Sequence, residues 1–120
     1  MKDVVRPVEV SIRPDDARSR AVSLVSAIPH RIVAVVDEEG VLRGVVSDYD
    51  LAVKKGDRVR DLMTPDPAAV NLEDNLLTAY RLMRVRGLRK LPVYEEKNGR
   101  KLFKGFITSD DIIEALVRKL

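Results

Sequence analysis

The sequence predicts a mixed α/β (α+β) fold, in which two β-α-β-β-α repeats pack about a pseudo-twofold axis into one globular module. Three observations lead there. The stretch Gly44-Val45-Val46-Ser47-Asp48-Tyr49-Asp50-Leu51 returns, residue class by residue class, as Gly105-Phe106-Ile107-Thr108-Ser109-Asp110-Asp111-Ile112, 61 positions later. Such a repeat defines an architecture before any other signal does. In each half, short β-branched or alternating runs are interleaved with segments of helical spacing. A half of about 55 residues also buries little apolar area and would be marginal alone, so two halves are expected to pack together.

Alternation over Val8, Val10 and Ile12 predicts a short first strand. Ala17, Ala21, Leu24, Val25 and Ile28 then fall on one helix face and stop at Pro29. The continuous run Ile32 to Val36 reads as a strand buried on both faces. Glu39-Gly40 turns the chain, Leu42 to Val46 returns as a strand, and Asp48 to Lys54 starts a helix. The second half repeats the order. Val70-Asn71-Leu72 answers Val10-Ser11-Ile12, and Leu76, Ala79, Tyr80 and Met83 line a helix that stops at Gly87. Lys90 to Tyr94 and Leu102 to Ile107 form a hairpin through Asn98-Gly99. Ile112, Ile113, Leu116, Val117 and Leu120 mark the closing helix. Repeat 1 is therefore placed at 1–55, a Pro- and Gly-punctuated linker at 56–67, and repeat 2 at 68–120. A fainter echo links Asp3-Val4-Val5 with Asp61-Leu62-Met63.

Composition excludes much chemistry. The 120 residues include 22 Lys plus Arg, 19 Asp plus Glu, one His and no Cys. Disulfides, thiol nucleophiles and thiolate metal sites are thereby absent, and so is any site built on two imidazoles. No Gly-x-x-x-x-Gly-Lys-Ser/Thr loop occurs either. An enzyme is not expected. The longest apolar run has five residues, against the ~20 needed to span a bilayer, and the first residues lack a signal-peptide core; a cytoplasmic chain without membrane contact is the expectation. The net charge of +3 tolerates anionic ligands, but only five aromatics are present and no basic run interleaves with them, so nucleic-acid binding is disfavoured.

The two motifs, Gly-apolar-apolar-Ser/Thr-x-x-Asp-apolar, admit two chemical readings. A hydroxyl three residues before a carboxylate at a helix start is the pattern of a capping box, although that box prefers Glu or Gln. The same residues can also clamp a ribose phosphate. A carboxylate offers two acceptor oxygens to the two donors of a vicinal diol, while the exposed amides of the helix start favour a nearby anion.

With Val59-Arg60-Asp61-Leu62-Met63-Thr64 standing between them, the paired motifs resemble the tandem CBS-domain family, whose paired unit is called a Bateman module. The resemblance covers nearly the whole chain. It implies a non-catalytic regulatory sensor that binds AMP, ADP, ATP or S-adenosylmethionine between the repeats, with no catalytic cofactor. It assigns the ribose carboxylates to Asp50 and Asp111, with Ser47 and Thr108 as their partners. Val10 and Val70, with Val35 and Pro92, would flank adenine; Arg89 and either Arg31 or His30 would meet phosphate. It further implies a homodimer whose output passes through a separate effector protein. The alternative reading is a scaffold with degenerate clefts.

Overall fold

The computed structural model of the protein describes residues 1–6 and 10–118. They form two compact units, Glu9–Pro67 and Met1–Val8 together with Ala68–Leu120. In the first unit the chain runs through α1 (Arg18–Ala27), a single 3-10 turn at Pro29–Arg31, β1 (Ile32–Val36), β2 (Leu42–Ser47), α2 (Asp48–Val53), α3 (Val59–Leu62) and β3 (Thr64–Pro65). Four of the five residues of β1 are β-branched, which suits a pleated, enclosed strand. Val33, Ala34, Val35 and Val36 are accordingly buried. β2 lies between β1 and β3, antiparallel to both. Ala21 and Val25 of α1 close the core over Val33, Val35, Val46 and Val59.

The second unit contains β4 (Val70–Asn71), α4 (Leu76–Arg86), β5 (Lys90–Lys97), β6 (Arg100–Thr108) and α5 (Ser109–Arg118). Its sheet has the order β4-β5-β6, with β4 parallel and β6 antiparallel to β5. Asn98 and Gly99 both have positive φ, 53° and 78°, the backbone that a two-residue hairpin turn requires. The core comprises Val70, Leu76, Ala79, Met83, Leu91, Val93, Ile107 and Ile112.

The two sheets carry the same irregularity. The β1–β2 register slips between Val35 and Val36, and the β5–β6 register between Val93 and Tyr94. Each slip leaves one basic residue extra on the return strand, Arg43 or Lys104, immediately before the motif glycine. A bulge of this kind bends the strand and re-aims the side chains beyond it. Arg43 pairs at 2.8 Å with Asp37, the residue just past β1, and Lys104 at 3.5 Å with Glu95 on β5, so each extra residue is held by a salt bridge.

Three features differ from the sequence-based expectation. Val8 lies outside the described residues, and the first strand is otherwise reduced to one parallel bridge, Ile12 to Val35. The Ile12 amide donates to the Ala34 carbonyl and the Val36 amide to the Ile12 carbonyl, while Val10 is exposed. The span 56–67 folds into the first unit, because its Thr64 and Pro65 pair with Val45 and Gly44. The first residues, read as part of 1–55, pack with the other half. Arg6 and Phe106 exchange both backbone hydrogen bonds, at 2.9 and 3.2 Å. The reason is common to both: β2 and β6 each have an open side beside the motif glycine, and the nearest suitable extended segment precedes the opposite half in sequence. Leu120 of the expected closing helix lies outside the described residues.

Glycine is what permits this pairing. A Cβ on Gly105 would stand 2.2 Å from the Arg6 carbonyl oxygen, and the residue has φ 145°. A Cβ on Gly44 would stand 2.6 Å from the Thr64 carbonyl oxygen. Gly105→Ala is therefore expected to destabilise the fold by about 1–3 kcal/mol, as over-packing does. Urea denaturation checks the loss, and amide exchange at Arg6 and Phe106 should accelerate in parallel. An unchanged midpoint with unchanged exchange would contradict the close approach.

Candidate functional site

β2 ends at Ser47 and the chain enters α2 at once, so the motif residues lie at the junction of a strand and a helix N-terminus. The Asp50 amide donates to the Ser47 hydroxyl at 3.2 Å, while Asp50 Oδ2 accepts from the Ser47 amide and hydroxyl at 2.9 and 3.0 Å. The capping box is thus real, with the shorter Asp in place of Glu. The other oxygen, Oδ1, accepts from Lys54 Nζ at 3.0 Å and from the Thr64 hydroxyl at 3.2 Å. Lys54 in turn donates to the Met63 carbonyl at 3.2 Å. Asp50 is the only polar or charged residue in the buried set among the described residues. Burial pushes its carboxyl up. The Ser47 amide, the Lys54 ammonium and the Ser47 hydroxyl outweigh burial and hold it below the ordinary carboxylate value.

The second motif repeats the junction at β6 and α5. The Asp111 amide donates to the Thr108 hydroxyl at 3.1 Å. Its carboxylate is gripped by Arg6, whose Nε lies 3.1 and 3.0 Å from the two oxygens and whose Nη2 lies 2.8 Å from Oδ1. Here too burial pushes the carboxyl up; hydrogen bonds from Arg6 and from Thr108, with the Arg6 charge, hold it below its usual range. Two acidic side chains are therefore kept ionised at two helix starts.

Of the residues assigned to adenine, Val35 and Val70 lie in the cores of their own units, Pro92 is buried on β5, and Val10 is exposed. The residues assigned to phosphate stand at matching places. Ile32 pairs with Ser47 and Lys90 pairs with Thr108, so the residue just before each strand is Arg31 in one unit and Arg89 in the other. His30 and Arg31 both have positive φ, 63° and 48°, in the exposed 3-10 turn. Arg89 is exposed beside an open hollow that also contains Tyr80, Arg84, Ser109 and Asp110.

Sequence reasoning missed three partners of the motif carboxylates: Lys54, Thr64 and Arg6. A signal for two of them was present. Extending Asp3-Val4-Val5 and Asp61-Leu62-Met63 by one residue sets Arg6 against Thr64, and these are the side chains delivered to Asp111 and Asp50. Among the described residues no group of His, Asp or Glu is placed to hold a metal ion. No helix among them is long and apolar enough to cross a membrane.

Two α/β units with the same bulge, the same glycine and the same capped carboxylate define a tandem-repeat module. The CBS-domain family model matches residues 1–55 and again 59–118, and the chain belongs to that family. It is similar to the protein MJ0188 of Methanocaldococcus jannaschii, 29% identical over 113 residues, which are 92% of this chain and 41% of that protein. Among solved structures it resembles CBSX2 of Arabidopsis thaliana in complex with AMP, with TM-score 0.81, 28% identity, and 98% of this chain and 95% of that one covered. It also resembles the cytosolic domain of the Mg2+ channel MgtE in complex with ATP, with TM-score 0.76, 29% identity, and coverage of 92% and 46%.

The depressed carboxyls make acid stability a direct readout. A carboxyl lowered on folding stabilises the fold above its unfolded value of about 3.9, and that contribution is lost as pH falls through the lower folded value. Urea denaturation should therefore show stability falling below about pH 4. Asp50→Asn should lower stability at pH 7 by about 1–3 kcal/mol and flatten part of the acid decline. Asp111, Asp37 and Glu95, also depressed, keep the remainder. An acid profile parallel to that of the wild type would show that Asp50 is not held ionised as described.

Proposed function

We propose that the chain is a non-catalytic sensor of adenosine compounds, of the class AMP, ADP, ATP or S-adenosylmethionine, and that it acts through a separate effector protein. The observation that carries this reading is the duplicated junction: an ionised carboxylate at a helix start, next to a motif hydroxyl, with an arginine one residue before the opposite strand. A carboxylate suits the two donors of a ribose diol, and an arginine beside the positive end of a helix suits a phosphate. Support comes from the AMP and ATP bound to two of the similar proteins.

Catalysis is not part of the reading, because no Cys and one His leave no nucleophile–base pair. Signalling then works by linkage: a nucleotide that binds one arrangement better shifts the population towards it, and a partner reads the shift. A homodimer belongs to the same proposal. Val22, Tyr49 and Val53 in one unit and Leu77, Val85, Ile113 and Val117 in the other are exposed apolar residues on helices, suited to a second copy.

The competing reading, a scaffold with degenerate clefts, is favoured by the saturation of both carboxylates by donors from the protein itself. A thermal-shift screen with AMP, ADP, ATP, S-adenosylmethionine and a short oligonucleotide decides between them. A ligand at 100 times its dissociation constant should stabilise by about 2.7 kcal/mol, a rise of several degrees in Tm. Asp50→Ala or Asp111→Ala should abolish the nucleotide shift while the variant stays folded. If no compound moves Tm, the scaffold reading stands; if both variants bind normally, the ribose assignment is wrong.

A further inference from the structure

The two motif carboxylates are held by partners of different kinds. Asp50 is bonded by Ser47, by the Thr64 hydroxyl on β3, and by Lys54, which is itself anchored on the Met63 carbonyl. Asp111 is bonded by Thr108 and by Arg6. The Asp111 side chain is 10% exposed, whereas that of Arg6 is 72% exposed. The pair opens on to a surface groove that also contains Asp3, Glu114 and Arg118. Glu114 attracts Arg6 and also pairs with Arg118, so its charge is shared between two guanidinium groups.

We propose that Arg6 makes the Asp111 site select phosphorylated ligands: a ribose diol must displace the Arg6 guanidinium from the carboxylate, and the displaced cation requires another anion, which a phosphate supplies. The inference rests on the adenosine reading above. A carboxylate has about four acceptor positions, and Arg6 with Thr108 fills them. Two ribose hydroxyls can therefore be accepted only in exchange for Arg6. An uncharged nucleoside leaves the arginine to water, and S-adenosylmethionine, although it carries a carboxylate at its far end, sets a sulfonium cation at the 5′ position where a nucleotide has its phosphate. A nucleotide brings oxygens that match the planar guanidinium fork. In the other repeat the corresponding residue is the uncharged Thr64, and the cation on Asp50, Lys54, keeps the Met63 carbonyl as a partner when displaced, so the Asp50 site lacks this selection. Arg6 thus acts as a specificity residue as well as a tie between the chain start and α5.

Calorimetric titration of AMP and adenosine into the wild type, Arg6→Ala and Arg6→Lys tests this. The wild type should bind AMP more tightly than adenosine. In Arg6→Ala adenosine should bind more tightly than in the wild type, and the AMP-to-adenosine affinity ratio should fall by about tenfold, the scale of one charge-assisted contact. Arg6→Lys, which keeps the charge without the fork, should fall between them. The Arg6 Nε–H resonance in the 15N-labelled wild type should move on adding AMP, a change that a purely structural tie would not show. AMP binding with an unchanged ratio in Arg6→Ala, or with a stationary Arg6 resonance, overturns the role of Arg6 and leaves the adenosine reading standing. Failure of every variant and the wild type to bind either compound overturns the adenosine reading, and this proposal with it.

Discussion

The close approach of an extended segment to the motif glycine is the constraint on which the rest of this structure depends. At Gly105 and Gly44 the neighbouring carbonyl oxygen comes so near that no side chain could be accommodated. That approach turns β2 and β6 into strands paired on both sides next to the motif. It also carries one further residue, Arg6 or Thr64, to the carboxylate at the start of the following helix. Without the glycine there is no pairing, and without the pairing Asp111 keeps only its capping partner while Asp50 keeps its cap and Lys54. Packing and electrostatics are therefore coupled through a backbone distance rather than through a side-chain contact.

A second consequence concerns charge. Each motif aspartate is mostly enclosed, and an enclosed carboxylate stays ionised only when hydrogen bonds and cations offset its desolvation. The first repeat uses a lysine one turn along its own helix. The second uses an arginine 105 positions away in sequence. The local solution is held on a backbone carbonyl, while the distant one is mostly in solvent. Duplication of a motif has thus kept the carboxylate and its cap while the counter-ions diverged, so the two sites have unequal electrostatics within one repeated fold.

Much of the fold was legible because the relevant signals are local. The 61-residue repeat, the β-branched run of β1, the Asn98-Gly99 hairpin and the helical spacing of α4 each specify their element within a few residues. Both motif carboxylates could be picked out for the same reason. The remainder depends on long-range pairing. Nothing in Thr64-Pro65 or in Val5-Arg6 marks pairing, since each is too short to show alternation, and only an open edge beside a glycine makes the one a strand and gives the other its bridge at Arg6. Arg6 is one of many cations in a basic chain, and its partner is set by tertiary structure. The strand expected around Val10 shows the opposite error: alternation was present, but among the described residues of that stretch the paired backbone is that of Ile12.

The most direct measurement is a crystal structure of the chain grown with AMP. The account predicts the ribose hydroxyls within hydrogen-bonding distance of the Asp111 carboxylate, with the Arg6 guanidinium turned from that carboxylate to the phosphate. AMP found elsewhere on the molecule, with the ion pair between the chain start and α5 still closed, would contradict it.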